Sequence, residues 1–359
     1  MSHKPIQKHH RGLHLFACFT LVSTLLLICL GGHVTSKEAG MAVPDWPTTY
    51  GENMFLYPIH KWVGGIFWEH SHRLVASAVG MFTIILTVWT FIKYKGFLLR
   101  FLTSVALFLV IIQGILGGLR VVLIFPEIGI IHGALAQLFF SLIAIISLMT
   151  SRLWLNLQDK VASSDFKATE LKSILKLTIP LTCFIFLQLL LGATIRHEHA
   201  GLSIPDFPLH YGQIIPPMGE HEVEKINEYR ELHTNLPPTS TLQIALHFAH
   251  RLFAYLITAL FIYSYWWMFK HSKAGFKAFK GWFNVWINLI ILQVALGVSV
   301  ILTEKTAEFA TLHVANGASI LALGVVLNVL IWQCMQLAAP YKKAAVNEVP
   351  LERAVPSGV

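Results

Sequence analysis

Eight apolar stretches of about twenty residues limit the fold of this chain more than any other feature. A stretch of that length crosses the hydrocarbon core of a bilayer as an α-helix. The stretches lie near residues 13–32, 71–92, 99–120, 130–150, 174–195, 243–269, 283–302 and 311–335. Composition agrees. The chain is 55% hydrophobic and 13% charged, with a mean hydropathy of +0.61, whereas a soluble domain is nearer a quarter charged. The expected fold is an all-α polytopic membrane protein with eight transmembrane helices. The opening MSHKPIQKHHRGLHLFACF has the basic start of a signal peptide. Its apolar run is long enough to span, and no A-x-A-like site follows, so it is read as an uncleaved first span.

An even number of spans puts both termini on one side. The basic residues choose which. Of 27 Lys and Arg, 18 fall on the side of the termini, whereas 14 of 19 acidic residues fall on the other. The positive-inside rule then puts the termini in the cytoplasm, or in a mitochondrial matrix. The absence of an Arg/Ser-rich transit peptide favours a bacterial inner (cytoplasmic) membrane over a mitochondrial inner membrane. The formal charge of +8 is therefore topological. No basic stripe interleaved with aromatics occurs in a soluble segment, so no nucleic-acid partner is expected. Cys18, Cys29, Cys183 and Cys334 all lie in apolar runs without a Cys-x-x-Cys partner, which argues against a disulfide framework and a zinc site. The long loops 33–70 and 196–242 are placed outside. The second is acidic and reads as a solvated loop, either a short surface helix or a disordered insert.

The chain is internally duplicated. GGHVTSKEAGMAVPDWPTTYG (31–51) aligns with GATIRHEHAGLSIPDFPLHYG (192–212) at an offset of 161. His72-Arg73 then matches His250-Arg251 at 178, Gln113 and Gly117 match Gln293 and Gly297 at 180, and His132 matches His313 at 181. An ordered series of this kind is strong evidence for tandem repeats. Each half has four spans, so both insert with the same orientation, as parallel repeats about a pseudo-two-fold axis along the membrane normal. The expected organisation is a cytoplasmic N-terminus (1–12), a four-helix bundle (13–150), a cytoplasmic linker (151–173), a second four-helix bundle (174–335) and a cytoplasmic tail (336–359).

Ionisable residues in spans are costly and usually functional. At 1.5 Å of rise per residue, His72, His132, His250 and His313 lie at similar depth near the outer surface. Each half thus offers two imidazoles, on its second and fourth helices, which suits axial ligation of a haem iron. Zinc fits less well, because two histidines without a third close ligand make a poor site. Arg73 and Arg251 are candidates for contacts to haem propionates, with snorkelling to lipid headgroups as the rival role. The halves differ one turn earlier, where Glu69 in the first matches His247 in the second. A carboxylate facing the ligand plane could move protons or stabilise a cation. His70 points away from His72 and is given no role. The Pro-Asp-Trp/Phe-Pro segments read as rigid turns that bring an aromatic ring to the bundle mouth or anchor it at the interface. Interhelical hydrogen bonding accounts for Gln113 and Gln293.

Glu-x-x-His-Arg in the first half, His-Arg in the second, a later histidine in each, and the GG-x-V…G…PDWP loop together resemble the haem A synthase family across residues 15–335. The resemblance implies oxidation of the C8 methyl of haem O to a formyl group by two successive hydroxylations, giving haem A for cytochrome oxidase. It implies a resident haem b on His250 and His313, substrate haem O on His72 and His132, and Glu69 as the catalytic carboxylate. It also implies an unidentified electron donor, a haem O synthase as partner, and a homo-oligomer in membrane lipid. The chain departs from the family in lacking the outer-loop cysteine pair of many bacterial members. It has Thr35 where many relatives have Arg, although Arg196 stands at the matching place in the second half. Extra histidines (His197, His199, His210, His221, His233) crowd the second loop. A di-haem b electron-transfer cytochrome linked to quinol, and a haem carrier or assembly factor, are the competing functions.

Overall fold

The computed structural model of the protein describes residues 9–123 and 125–346. The outermost parts of the expected N-terminal segment and of the tail lie outside the described residues. Among the described residues, nine helices of fourteen residues or more carry the architecture. They are α1 (Arg11–Ser36), α2 (Gly64–Lys93), α3 (Phe97–Leu123), α4 (Pro126–Thr150), α5 (Ala168–His197), α6 (Glu220–His233), α7 (Thr241–His271), α8 (Lys273–Leu302) and α9 (Ala307–Val346). All but α6 are long and apolar enough to cross a membrane. The protein is therefore an all-α, multi-pass membrane protein.

The helices are longer than their apolar runs. α8 begins ten residues before the expected 283, with one residue, Ser272, between it and α7. α2 begins at Gly64 rather than 71, so His72 sits two turns inside the helix and not at its end. Backbone hydrogen bonding continues into the polar interface, where Lys273, Lys277 and Lys280 extend into water. Hydropathy marks only the portion in hydrocarbon.

Within the first half α1 packs on α2 and α4, and α3 on α2 and α4. In the second, α5 packs on α7 and α9, and α8 on α7 and α9. The halves meet through α1 and α4 against α9, and α4 against α5. α9 is accordingly the most buried of the spans. Its Ala318, Leu327 and Ile331 are fully or almost fully enclosed, beside Trp286 and Phe283 of α8. Large apolar side chains such as Phe108, Ile262 and Leu252 point outward on the helix bundle. That inversion of a soluble protein's pattern suits a lipid solvent. Buried hydroxyls of Thr24, Thr83, Thr87 and Thr90 donate to the carbonyl four residues back, so they bring no unsatisfied polar group into the membrane.

The acidic insert of the second outer loop is the helix α6. Val223 and Arg230 anchor its inner face. Arg230 donates to the carbonyls of Pro237, Leu202 and Ser203 at 2.7–2.9 Å and to the Tyr211 hydroxyl at 2.7 Å. Burial raises the Tyr211 phenol above its usual range, so it remains a donor, and it donates to the Ser203 carbonyl.

Candidate functional site

The duplicated loops fold alike in detail. Asp45 accepts from the backbone N–H of Tyr50 (2.7 Å) and Gly51 (2.9 Å), and Asp206 does the same for Tyr211 (2.7 Å) and Gly212 (2.9 Å). The turn requires a left-handed residue followed by glycine. Tyr50 and Tyr211 have φ of 51° and 55°, and Gly51 and Gly212 have φ of 75° and 74°. Trp46 lies flat on α3 at Gly118, where any Cβ would come within 2.3 Å of the indole.

Each loop is pinned to its bundle by the arginine of the His-Arg pair. Arg73 donates through Nη1 to the carbonyls of Asp45 (2.7 Å) and Thr48 (3.1 Å), and through Nη2 to Val43 O (2.8 Å) and Glu69 Oε1 (2.7 Å). Arg251 donates to Asp206 O (2.8 Å), Leu209 O (3.3 Å) and Ile204 O (2.7 Å), and its Nε lies 3.3 Å from His247 Nε2. Loop carbonyls, and Glu69 for Arg73, take the arginines' terminal donors, so the geometry favours a loop clamp over either role weighed from the sequence, the propionate contact or snorkelling to lipid. Glu69 Oε2 accepts from Val43 N–H at 2.8 Å, and His247 Nδ1 accepts from Ile204 N–H at 3.2 Å.

The four repeated histidines share one environment. Each ring stands against a glycine of the neighbouring helix. Cε1 would lie 3.0 Å from a Cβ at Gly31 for His72, 3.5 Å at Gly117 for His132, 3.2 Å at Gly192 for His250 and 3.2 Å at Gly297 for His313. Nδ1 of all four is buried and makes no well-aligned hydrogen bond, and the backbone of Leu27, Gln113 and Gln293 lies beside the rings of His72, His132 and His313. The Cε1–Nδ1 edge faces the glycine and Nε2 lies farther from it, which leaves Nε2 as the nitrogen for an iron between the helices. Within each half the two imidazoles are close enough to interact electrostatically. Their carbonyls are held as well. Gln113 Nε2 donates to His132 O (3.1 Å), Gln293 Nε2 to His313 O (3.1 Å), and Gln188 Nε2 to His250 O (3.0 Å). Gln293 Nε2 also sits 3.3 Å from His313 Nε2, a contact that ligation would replace. Paired imidazoles with Nε2 on the side away from the glycines, each ring packed closely on its neighbouring helix, fit haem ligation. When bound, haem supplies reversible one-electron chemistry at iron.

Several residues gain contacts that the sequence did not reveal. Gly31 and Gly192 align at the 161 offset, and their meaning required knowing what packs on them. His70 is fully buried, with Nδ1 3.2 Å from Thr49 Oγ1 and its ring against Tyr57 and Trp62. The second half exchanges this pair, setting His210 edge-on to Phe248. His197 closes on Gly129 across the seam, with Cε1 2.3 Å from the place of a Cβ.

Residues 14–325 match the family described as cytochrome oxidase assembly protein. The chain is 26% identical to a haem A synthase of Shouchella clausii, over 82% of this chain and 88% of that one. It is 26% identical to a haem A synthase of Halalkalibacterium halodurans, over 85% and 92%. A haem A synthase of Shewanella oneidensis is 24% identical over 87% and 94%. The chain belongs to this cytochrome oxidase assembly family, the haem A synthase family that its loop motifs and paired histidines resemble.

Proposed function

We propose that the protein is a haem A synthase of a bacterial inner membrane, with both termini cytoplasmic. It oxidises the C8 methyl of haem O to a formyl group, for cytochrome oxidase assembly. Two hydroxylations each replace one C–H of that carbon by C–OH, a two-electron oxidation by an external oxidant, and the geminal diol then loses water to leave the formyl group. The first half (13–150) takes the substrate haem O on His72 and His132. The second half (174–335) holds haem b on His250 and His313 and receives electrons from a donor still to be identified. A haem O synthase would deliver the substrate, and a second copy of the chain is the expected oligomeric partner.

The observation that carries this reading is one asymmetry beside the ligands. Glu69 stands one turn before the ligand in the first half, and His247 in the second. Both are buried. A carboxylate held by Arg73 and by the Val43 N–H remains fixed while it takes up a proton or stabilises positive charge beside the substrate. A chain that only passed electrons between two haems would have no use for that difference. The printed names of the relatives point the same way.

The test is pigment extraction from protein purified out of cells that also make haem O, with each haem identified by mass spectrometry. Haem b together with haem O, haem A or a hydroxylated intermediate supports the reading. Two haem b per chain, despite available haem O, would overturn it in favour of an electron-transfer cytochrome.

A further inference from the structure

The arginines best placed to meet a ligand are not those of the His-Arg pairs. Arg120, near the outer end of α3, lays its guanidinium over Gly40, with Nη2 3.2 Å from where a Cβ would sit. Among the described residues it makes no side-chain hydrogen bond. Arg196, near the end of α5, crosses the seam between the halves and donates through Nη2 to Gly32 O (2.7 Å) and Ser36 Oγ (2.9 Å) of α1. The two guanidiniums are near enough for their charges to interact. Arg120 also lies within electrostatic reach of His72 and His132, and both arginines lie within reach of His197.

This region is short of negative charge. Its buried carboxylate, Glu69, is already engaged by Arg73. The ion pairs among the described residues are Lys61–Glu52, Arg73–Glu69 and His221–Glu224, and none includes Arg120 or Arg196. Glu69 lies within electrostatic reach of Arg120 but is already bonded to Arg73, so one carboxylate serves three guanidiniums, and an arginine fork is suited to a further carboxylate. The pair also occurs once. By the repeat offsets, Val300 stands where the second half would carry Arg120, and Thr35 where the first would carry Arg196.

We propose that Arg120 and Arg196 form a carboxylate seat at the seam, which receives a propionate of the haem bound by His72 and His132. The second half thus completes the site of the first. The inference rests on the first half being the substrate site. It makes the carboxylates of the porphyrin, and not only its iron, a requirement for binding.

The experiment uses full-length protein from cells that make haem b but no haem O, titrated in detergent with haem O and with its dimethyl ester. Wild type is expected to bind the free acid at least roughly tenfold more tightly than the ester, the scale of a charge-assisted hydrogen bond. Arg120→Gln should bind both at the ester's affinity, Arg120→Lys should recover part of the preference, and Arg196→Gln should weaken it. Haem b content reports folding in every variant. Equal wild-type affinity for acid and ester overturns the proposal. So does a preference that survives in Arg120→Gln. Titration of a His72→Ala/His132→Ala variant separates the two layers. If it binds haem O as wild type does, the first half is not the substrate site, and that reading fails together with the seat.

Discussion

Glu69 and His247 occupy equivalent places and make equivalent contacts. Each accepts a backbone N–H from its outer loop, at 2.8 Å from Val43 and 3.2 Å from Ile204, and each is touched by the arginine one turn on. The scaffold therefore tolerates either side chain at that place, and what distinguishes them is chemistry. Glu69→His should fold, keep the loop pinned through Arg73 and retain haem in both halves. It should lose formyl product by roughly a hundredfold or more, the scale of a positioned acid–base group. Pigment extraction reads both quantities. Wild-type turnover in this variant would remove Glu69 from the reaction.

The clamp itself is a stability element. Arg251 makes three bonds to loop carbonyls and packs against His247. Arg251→Gln leaves those carbonyls with fewer partners in a place poor in water. A loss of about 2–4 kcal/mol is expected, several charge-assisted bonds being partly replaced. Arg251→Lys should recover little, because an ammonium cannot reproduce the fork. Thermal unfolding in detergent measures the loss, and faster proteolysis of residues 203–212 would localise it. An unchanged midpoint would show that the loop does not depend on this arginine.

Much of this was legible in the sequence because two signals are independent of packing. Hydropathy marks the spans, and the repeat offsets mark equivalent residues. Together they singled out His72, His132, His250 and His313, and the Glu69–His247 difference. What stayed hidden depends on contacts between helices. Gly31 and Gly192 read as ordinary membrane glycines until a ring is seen against each. Arg73 and Arg251 lie on the ligand-bearing helices, yet their side chains reach outward to loops 25–47 residues away in sequence. Arg120 and His197 have no matching partner in the other half, so the duplication could not bring them forward.

The first loop should also respond to acid. Asp45 lies outside the membrane. Partial burial pushes its carboxyl upward, but hydrogen bonds from Gly51, Thr48 and Tyr50 outweigh that and hold it below the ordinary aspartate value near 3.8. A depressed folded value means stability that is fully present above pH 3.8 and lost as pH falls through the lower folded value. The turn 45–51 should therefore stay ordered from neutral pH down to about 4 and loosen below it. Trp46, seated on Gly118, is the natural fluorescence reporter. Asp45→Asn should flatten the acid transition. A loop that loosens between pH 5 and 7 would contradict this assignment.

The glycine cradles predict a graded loss of haem b. A Cβ at Gly192 would lie 3.2 Å from His250 Cε1, close enough to require a shift of a few tenths of an ångström. Gly192→Ala should therefore disturb the haem b spectrum only slightly. Gly192→Val adds two methyl groups that cannot be placed without turning the imidazole from its position, and bis-histidine haem b should be largely lost. Gly114 provides the control, since nothing lies within 4 Å of a Cβ there, and Gly114→Ala should leave the pigment intact. Low-temperature reduced-minus-oxidised spectra, with haem quantified per chain, distinguish the cases. Full haem b in Gly192→Val would mean that the ring does not need its glycine, and the fit of these cradles to a bound haem would lose its support.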